Sequence, residues 1–380
     1  MIYIFWISIA VLAYTFFGYP IYVFVRAKYF ANVVRKDNGY KPSVSVIISA
    51  YNEEKFILRK IDNLLQSKYP RDKIEILVGS DGSRDGTNNI LLHISDNRVK
   101  TFIFQKRRGK ANIINDLSTK ASGEILVFCD ARQLFVEDAI NQLVSDFADE
   151  KVGCVSGELI FDKGFSANGI SEGVGIYWDY EKLIRRSESA IHSMVGATGA
   201  IYAVRKKLYT NLPKDMILDD VYIPLSIARH GYRCIWEPMA KAYDRPAFTP
   251  TEEYGRKVRT LAGNYQIFGM FKDLLVPFRS AVSISLISHK LLRVLAPFFM
   301  ISVFISNVII AKKGLYAFFL IWQMIFYILA ILGGATYEMR NKRLLARLSS
   351  VIYIFCLLNF TALAGLYRFI SGKQDIAWEK

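Results

Sequence analysis

Five short clusters in this chain combine charged or amide side chains in ways that could bind a ligand. They are Asn52-Glu53-Glu54, Asp81 to Thr87 with its two glycines, the cationic run Lys106-Arg107-Arg108-Gly109-Lys110, Asp130-Ala131-Arg132, and the adjacent pair Asp219-Asp220. Glycines at 82 and 86 let the backbone turn tightly and approach a ligand closely. Lysine at a helix start suits phosphate oxygens, because the helix N-terminus adds its own N–H donors. A charge run of this kind is equally consistent with a solvated loop. Asp130 follows an apolar run, and a carboxylate there needs a partner or a cation. Asp219-Asp220 precedes a helix expected from about Val221, which Asp219 could cap.

The elements that must carry these clusters are legible. Val44 to Ala50 and Ile74 to Gly79 are near-continuous apolar runs bounded by turn residues, separated by a helix running to about Lys68. Such runs suit parallel strands buried on both faces, and the spacer makes a βαβ unit. Ligands of such sheets bind beyond the carboxyl ends of the strands, where Glu53 and Asp81 fall. A helix is expected over Asp85 to His93, and a strand over Val99 to Phe104. Glu124 to Cys129 is the next expected strand. Leu134 to Phe147 reads as a helix, Val152 to Phe161 as a strand and Ile176 to His192 as a helix. Gly164 to Gly175 is glycine- and serine-rich and is expected to be mobile. Trp178 is expected to pack within the core or on the side of a second substrate.

The chain of 380 residues is 52% hydrophobic with a net charge of +15. Ile2 to Val25 carries no charge and, at about 1.5 Å per residue, can cross about 30 Å of hydrocarbon. Lacking a basic leader and a small-residue cleavage site, it reads as a retained anchor. Val294–Ala311, Leu315–Tyr337 and Leu348–Tyr367 are three more spans of suitable length. Arg26, Lys28, Arg35 and Lys36 follow the first span, Arg279, Lys290 and Arg293 precede the second, and Arg340, Lys342, Arg343 and Arg347 lie between the last two. The positive-inside rule then places the amino terminus outside and the central domain in the cytoplasm, against Lys312-Lys313 alone. Juxtamembrane cations also attract anionic lipids. No nucleic-acid-binding module accompanies the charge, which sets nucleic acid aside. Four cysteines show no paired spacing and read as reduced and structural.

Ala50-Tyr51-Asn52-Glu53-Glu54 followed by Ser80 to Thr87 resembles the opening of a family-2 glycosyltransferase of the GT-A fold. The likeness runs from about Ser43 to Gly263, and the flanking spans fit membrane polysaccharide synthases of the cellulose, hyaluronan and poly-N-acetylglucosamine type. It implies Glu53 and Asp81 on the nucleoside of a nucleotide-sugar donor, and Lys110 on its diphosphate. Asp130 matches the first residue of an Asp-x-Asp motif that engages a divalent metal, Mg or Mn. Arg132 departs from that motif and either leaves Asp130 to hold the metal with the phosphates or itself meets the diphosphate. The last Asp of the 217–220 cluster, Asp220, takes the place of the general base. With no second nucleophile, that implies inversion. Gly196 to Arg205 resembles the acceptor-side turn and strand; Trp178, whose aromatic face can stack on a sugar, and Asp219 are the acceptor-side candidates. Arg256-Lys257-Val258-Arg259-Thr260 sits where processive members carry Gln-x-x-Arg-Trp. Arg259 keeps the diphosphate-gripping arginine, Arg256 stands for the glutamine, and Thr260 replaces the stacking tryptophan.

The expected organisation is α/β, a Rossmann-like, mostly parallel GT-A domain flanked by transmembrane helices. The segments are an N-terminal span at 1–25, a basic linker at 26–42 and the catalytic domain at 43–275. An interfacial amphipathic helix at 276–293 holds His289 at headgroup level; three spans at 294–367 and a tail at 368–380 follow. The expected activity is inverting transfer from a UDP-sugar to a glycan or lipid-linked acceptor in cell-envelope polysaccharide synthesis, non-processive or short-product, with export or accessory subunits as possible partners. A processive synthase coupled to export is the alternative, and an inactive sugar-nucleotide-binding subunit is the alternative of another class.

Overall fold

The computed structural model describes residues 1–161, 170–244, 250–312, 314–335 and 344–372. Its centre is one sheet of eight strands in the order β3-β2-β1-β4-β7-β6-β8-β5. The strands are β1 Val44–Ala50, β2 Ile74–Asp81, β3 Val99–Phe104, β4 Ile125–Cys129, β5 Leu134–Phe135, β6 Val152–Phe161, β7 Tyr202–Arg205 and β8 Arg233–Asp244. The β3-β2-β1-β4 half is parallel, β7 runs antiparallel to both β4 and β6, β8 is parallel to β6, and β5 closes the edge antiparallel.

Strand period two explains the two cores. Ile47, Leu77, Leu126 and Phe128 face one side, where α4 (Lys110–Lys120), α7 (Asp219–Arg229) and α8 (Pro250–Met270) pack. Val46, Ile48, Ile76, Val78 and Val127 face the other, under α2 (Ile57–Leu65) and α5 (Ala139–Ser145). Both faces being covered, these strands need apolar residues at nearly every position. The remaining helices are α1 (Ile2–Tyr29), α3 (Thr87–Leu92), α6 (Ile170–Ile191), α9 (Ser283–Ile310), α10 (Gly314–Ala335) and α11 (Leu344–Ser371). Chain order reverses between β1 and β4, and such a switch point opens a crevice at the strands' carboxyl ends.

Three local expectations change. The helix expected from Leu134 starts at Ala139, because Leu134 and Phe135 pair with Tyr243 and Ala242 of β8. β8 has no counterpart in the sequence reading. The separate interfacial helix at 276–293 is absent: Lys272–Leu275 is a 3-10 turn, and from Ser283 the chain is one helical run to Ile310. His289 is buried within it. Residues 164–169 of the expected mobile loop, Lys313, the basic residues at 340, 342 and 343 and the tail from 373 lie outside the described residues. Residues 170–175 of that loop are helical.

Among the described residues, four helices are long and apolar enough to cross a membrane: Ile2–Tyr29, Ser283–Ile310, Gly314–Ala335 and Leu348–Ser371. The last leans on the domain, with Phe369 stacked on Tyr265 of α8 at 6.0 Å.

Gly79 sets how closely α4 lies on β2, because a Cβ there would stand 2.5 Å from Ile113 Cγ2. Gly79→Val should therefore destabilise the domain by about 1–3 kcal/mol through overpacking. A thermal melt of the purified protein checks this, with a clear fall in Tm expected.

Candidate active site

The first two clusters are stitched into one unit at the carboxyl ends of β1 and β2. Asn52 adopts a left-handed φ of 52°, a conformation asparagine tolerates, and its Oδ1 accepts from the Arg84 amide at 2.9 Å. The Glu53 amide donates to Thr87 Oγ1 at 2.8 Å, and the Gly86 amide donates to Glu54 Oε2 at 2.8 Å. Arg132, carried over from the end of β4, points its Nε toward Glu53 Oε2 at 3.6 Å, with its guanidinium over Phe56. Arg132 thus faces the Glu53 side of the crevice. Arg107 lies over the Tyr51 ring, 3.8 Å from its centroid.

Asp81 does more than the sequence suggests. Its two oxygens accept from the amides of Arg108 at 2.6 Å and Gly109 at 2.9 Å. Gly82, with φ +66, lets this loop come close, since a Cβ there would meet the Arg107 amide at 2.6 Å. Gly109, at φ 87°, then turns the chain into α4 and delivers Lys110.

The Lys110 ammonium bridges two elements, lying 3.0 Å from Asp130 Oδ1 and 3.2 Å from Asp219 Oδ1. Burial alone would lower its pKa, but the charges of Asp130, Asp219 and Asp220 outweigh that and hold it above its ordinary value. Both oxygens of Asp219 are engaged, because its Oδ2 also accepts from the Tyr202 hydroxyl at 3.0 Å. Asp220 is different. Among the described residues, its Oδ2 accepts one long bond, 3.2 Å, from the Gly199 amide of the 196–199 turn. Burial, then the charge of Asp219, pushes its pKa up to about 6, against the pull of Lys110, Arg185 and Lys290. A carboxylate so poised suits a proton acceptor.

Arg259 reaches the same group from α8, where burial lowers its pKa against the charges of Asp219, Asp130 and Asp220. Arg256 is exposed on that helix. Trp178 packs edge-on to Phe161 at 5.6 Å, with Lys257 5.8 Å from its ring, so it stands beside α8 and apart from the Asp130–Lys110–Asp219 group. Among the described residues, no three His, Cys, Asp or Glu side chains gather as a metal site. Asp130 presents a partly exposed carboxylate, at 36% against 9% for Asp219.

Sequence reading missed two supporting residues. Lys60 is fully buried under the Asp130 loop, donating to the Gln133 carbonyl at 2.8 Å. Its signal was a lysine on the apolar Ile57-Ile61-Leu64 face of α2. Tyr202 gave none, because a tyrosine in a buried strand reads as core.

Residues 45–207 match the Glycosyl transferase family 2 profile. They form a family-2 glycosyltransferase domain. Poly-beta-1,6-N-acetyl-D-glucosamine synthase of Staphylococcus aureus is 26% identical over 255 residues, covering 63% of this chain and 60% of that protein. The Staphylococcus epidermidis protein of the same name is 24% identical over 261 residues, covering 67% and 63%. The match thus spans less than two thirds of these relatives. A mannosyltransferase from Pyrobaculum calidifontis, solved in complex with GDP-Man and Mn²⁺, superposes with a TM-score of 0.73 at 23% identity, covering 98% of this chain and 100% of that one. That likeness shows a shared GT-A-like fold. The sequence-predicted Lys110 and Asp130 of that domain meet Asp219, Asp220 and Arg259 from beyond its matched residues, while Glu53 and Arg132 lie together alongside.

Replacing Lys110 by Met should expose the repulsion it now offsets. We expect a lower Tm and an Asp220 pKa raised further, since a neighbouring cation is lost; a melt and a pH titration of activity check both.

Proposed function

We propose that this protein is a membrane-bound inverting glycosyltransferase, moving a sugar from a nucleotide-sugar, UDP-linked by our reading, to a glycan or lipid-linked acceptor of envelope polysaccharide synthesis. The division of labour between Asp219 and Asp220 carries this reading. One carboxylate is locked by Lys110 and Tyr202, and its neighbour is left with a raised pKa beside the acceptor-side turn.

In the proposed step an acceptor hydroxyl oxygen attacks the anomeric carbon of the donor while Asp220 takes its proton. The new C–O bond forms as the bond from that carbon to the diphosphate oxygen breaks, and the nucleoside diphosphate leaves with its electron pair. Lys110 and Arg259 stand where that charge develops, and a planar arginine fork suits phosphate oxygens. Glu53 and Asp81 face the nucleoside, Asp81 mainly by fixing the loop that bears Lys110. Arg256 and Trp178 border the acceptor path.

A divalent cation fits the donor set in one way only. Mg and Mn accept one carboxylate plus phosphate oxygens and water, and Asp130 is that carboxylate. Bound there, the cation would neutralise diphosphate charge; Arg132 adds a fixed cation on the Glu53 side. The positive-inside pattern supports a cytoplasmic catalytic domain with the amino terminus outside. Thr260 in place of a stacking tryptophan favours a non-processive or short-product enzyme. The names of the staphylococcal relatives favour a processive synthase as the second reading.

Lipid-reconstituted protein offered a panel of UDP- and GDP-sugars should release nucleotide from one donor, more in Mn²⁺ than in chelator. Asp220→Asn should cost about 10²–10⁴-fold, the usual worth of a positioned base. Turnover retained in that variant would refute the assignment, and a ladder of long chains would favour processive synthesis.

A further inference from the structure

Only the segment from Asp130 to Gln133 joins the end of β4 to the start of β5. Its residues alternate. Ala131 and Gln133 are buried, while Asp130 turns to Lys110 and Arg132 to the Glu53 side of the crevice. So short a connection takes its direction from its two ends. β4 fixes the first end, with Cys129 paired to Ile48 of β1.

The second end is fixed by α2. Lys60 Nζ donates to the Gln133 carbonyl at 2.8 Å and lies 3.6 Å from the centroid of the Phe135 ring. Asn63 stands one turn further along the same helix face. Its Nδ2 donates to the Phe135 carbonyl at 2.9 Å, and its Oδ1 accepts from the Phe135 amide at 2.8 Å. β8 adds another anchor, since Gln133 Nε2 donates to Asp244 Oδ2 at 2.8 Å. The peptide that follows Arg132 is thus held from two elements, and Lys60 is the group on its carbonyl.

Packing alone does not call for a lysine here. Lys60 is fully buried on the face of α2 that carries Ile57, Ile61 and Leu64, and among the described residues it pairs with no carboxylate. An enclosed ammonium of this kind is costly, and an apolar side chain of similar volume in its place is often neutral or stabilising. What the charge supplies is a stronger donor, because hydrogen bonds from ionised groups are shorter and roughly twice as strong as neutral ones. The Phe135 ring face adds a cation–π contact that keeps the ammonium on the carbonyl. A side chain that lowers stability while fixing one peptide beside a site is the usual trade between stability and activity.

We propose that Lys60, seconded by Asn63, is a positioning residue for the donor: it sets the Gln133 peptide and so aims Asp130 and Arg132 at the donor's diphosphate. The inference rests on the glycosyltransferase reading above and adds to it two residues of α2 that act through the 130–133 connection. Lys60 holds the carbonyl end, Asn63 keeps Phe135 in place for the ammonium, and Asp130 and Arg132 keep their directions as a result.

Lys60→Met keeps the side chain's length and removes the donor and the charge. Calorimetric titration of detergent-purified full-length protein with UDP and with GDP in Mn²⁺ tests this, beside a melt of the metal-free protein and donor kinetics. Lys60→Met should bind the nucleotide that wild type prefers at least about tenfold more weakly, the worth of a charge-assisted bond. Donor KM should rise by a similar factor while kcat changes less. Because the buried charge leaves with the bond, the melt should stay near that of wild type. Asn63→Ala should weaken binding in the same direction, and it decides should Lys60→Met not fold. Affinity and KM unchanged in both variants, with any loss confined to the melt or to kcat, mark a merely structural role and overturn the proposal; Asp220-dependent nucleotide release would then still stand. Wild type that neither binds UDP or GDP nor releases nucleotide from any donor would instead overturn the transferase reading.

Discussion

The ammonium of Lys110 is the interaction on which the rest of the site depends. Asp130 ends a strand, Asp219 and Asp220 begin a helix, and three carboxylates drawn into one partly buried crevice repel one another. Removing one partner of a buried pair is far more destabilising than the pair is stabilising, so the lysine is first a condition for closing the fold here. It is held in place by backbone means. Asp81 grips the amides of Arg108 and Gly109, and Gly109 takes the left-handed φ that starts α4 at Lys110.

From that constraint the roles of the two adjacent aspartates follow. A helix start sends neighbouring side chains in different directions, so Asp219 turns back to Lys110 and Tyr202 while Asp220 faces the 196–199 turn. The first is paired. The second carries the electrostatic strain of the first, and its pKa rises into the range useful for taking a proton near neutrality. The same turn is held by Arg185 from α6, which is anchored through Glu181, Glu188 and His289 to two membrane-length helices. Asp220, in the first turn of α7, is therefore braced from helices long and apolar enough to cross a membrane.

Much of this was legible from residue order. β1 to β4 announce themselves because strands covered on both faces must be apolar throughout, and motif residues at their ends fall at the switch point by topology. β8 was not legible: Arg233 to Asp244 carries Pro238 and several charges, shifts register against β6, and is defined by its partners rather than by its own pattern. β5 exists only because β8 does. The sequence put Asp219 beside Asp220 without saying which one Lys110 would claim, since that depends on where α4 sits against β2. Around His289 and Lys290 an amphipathic pattern resembled a surface helix, and only the packing of α6 against both spans reveals an internal charged cluster.

The pH dependence of kcat/KM for nucleotide release tests the central claim most directly. With Asp220 as the base, activity requires its ionised form, so the rate should fall tenfold per unit below an apparent pKa near 6, well above an ordinary carboxylate. In Asp219→Asn the neighbouring charge is gone, and the residual activity should titrate at lower pH. An acid limb near the ordinary Asp value of about 4, or one that does not move in Asp219→Asn, would contradict the account.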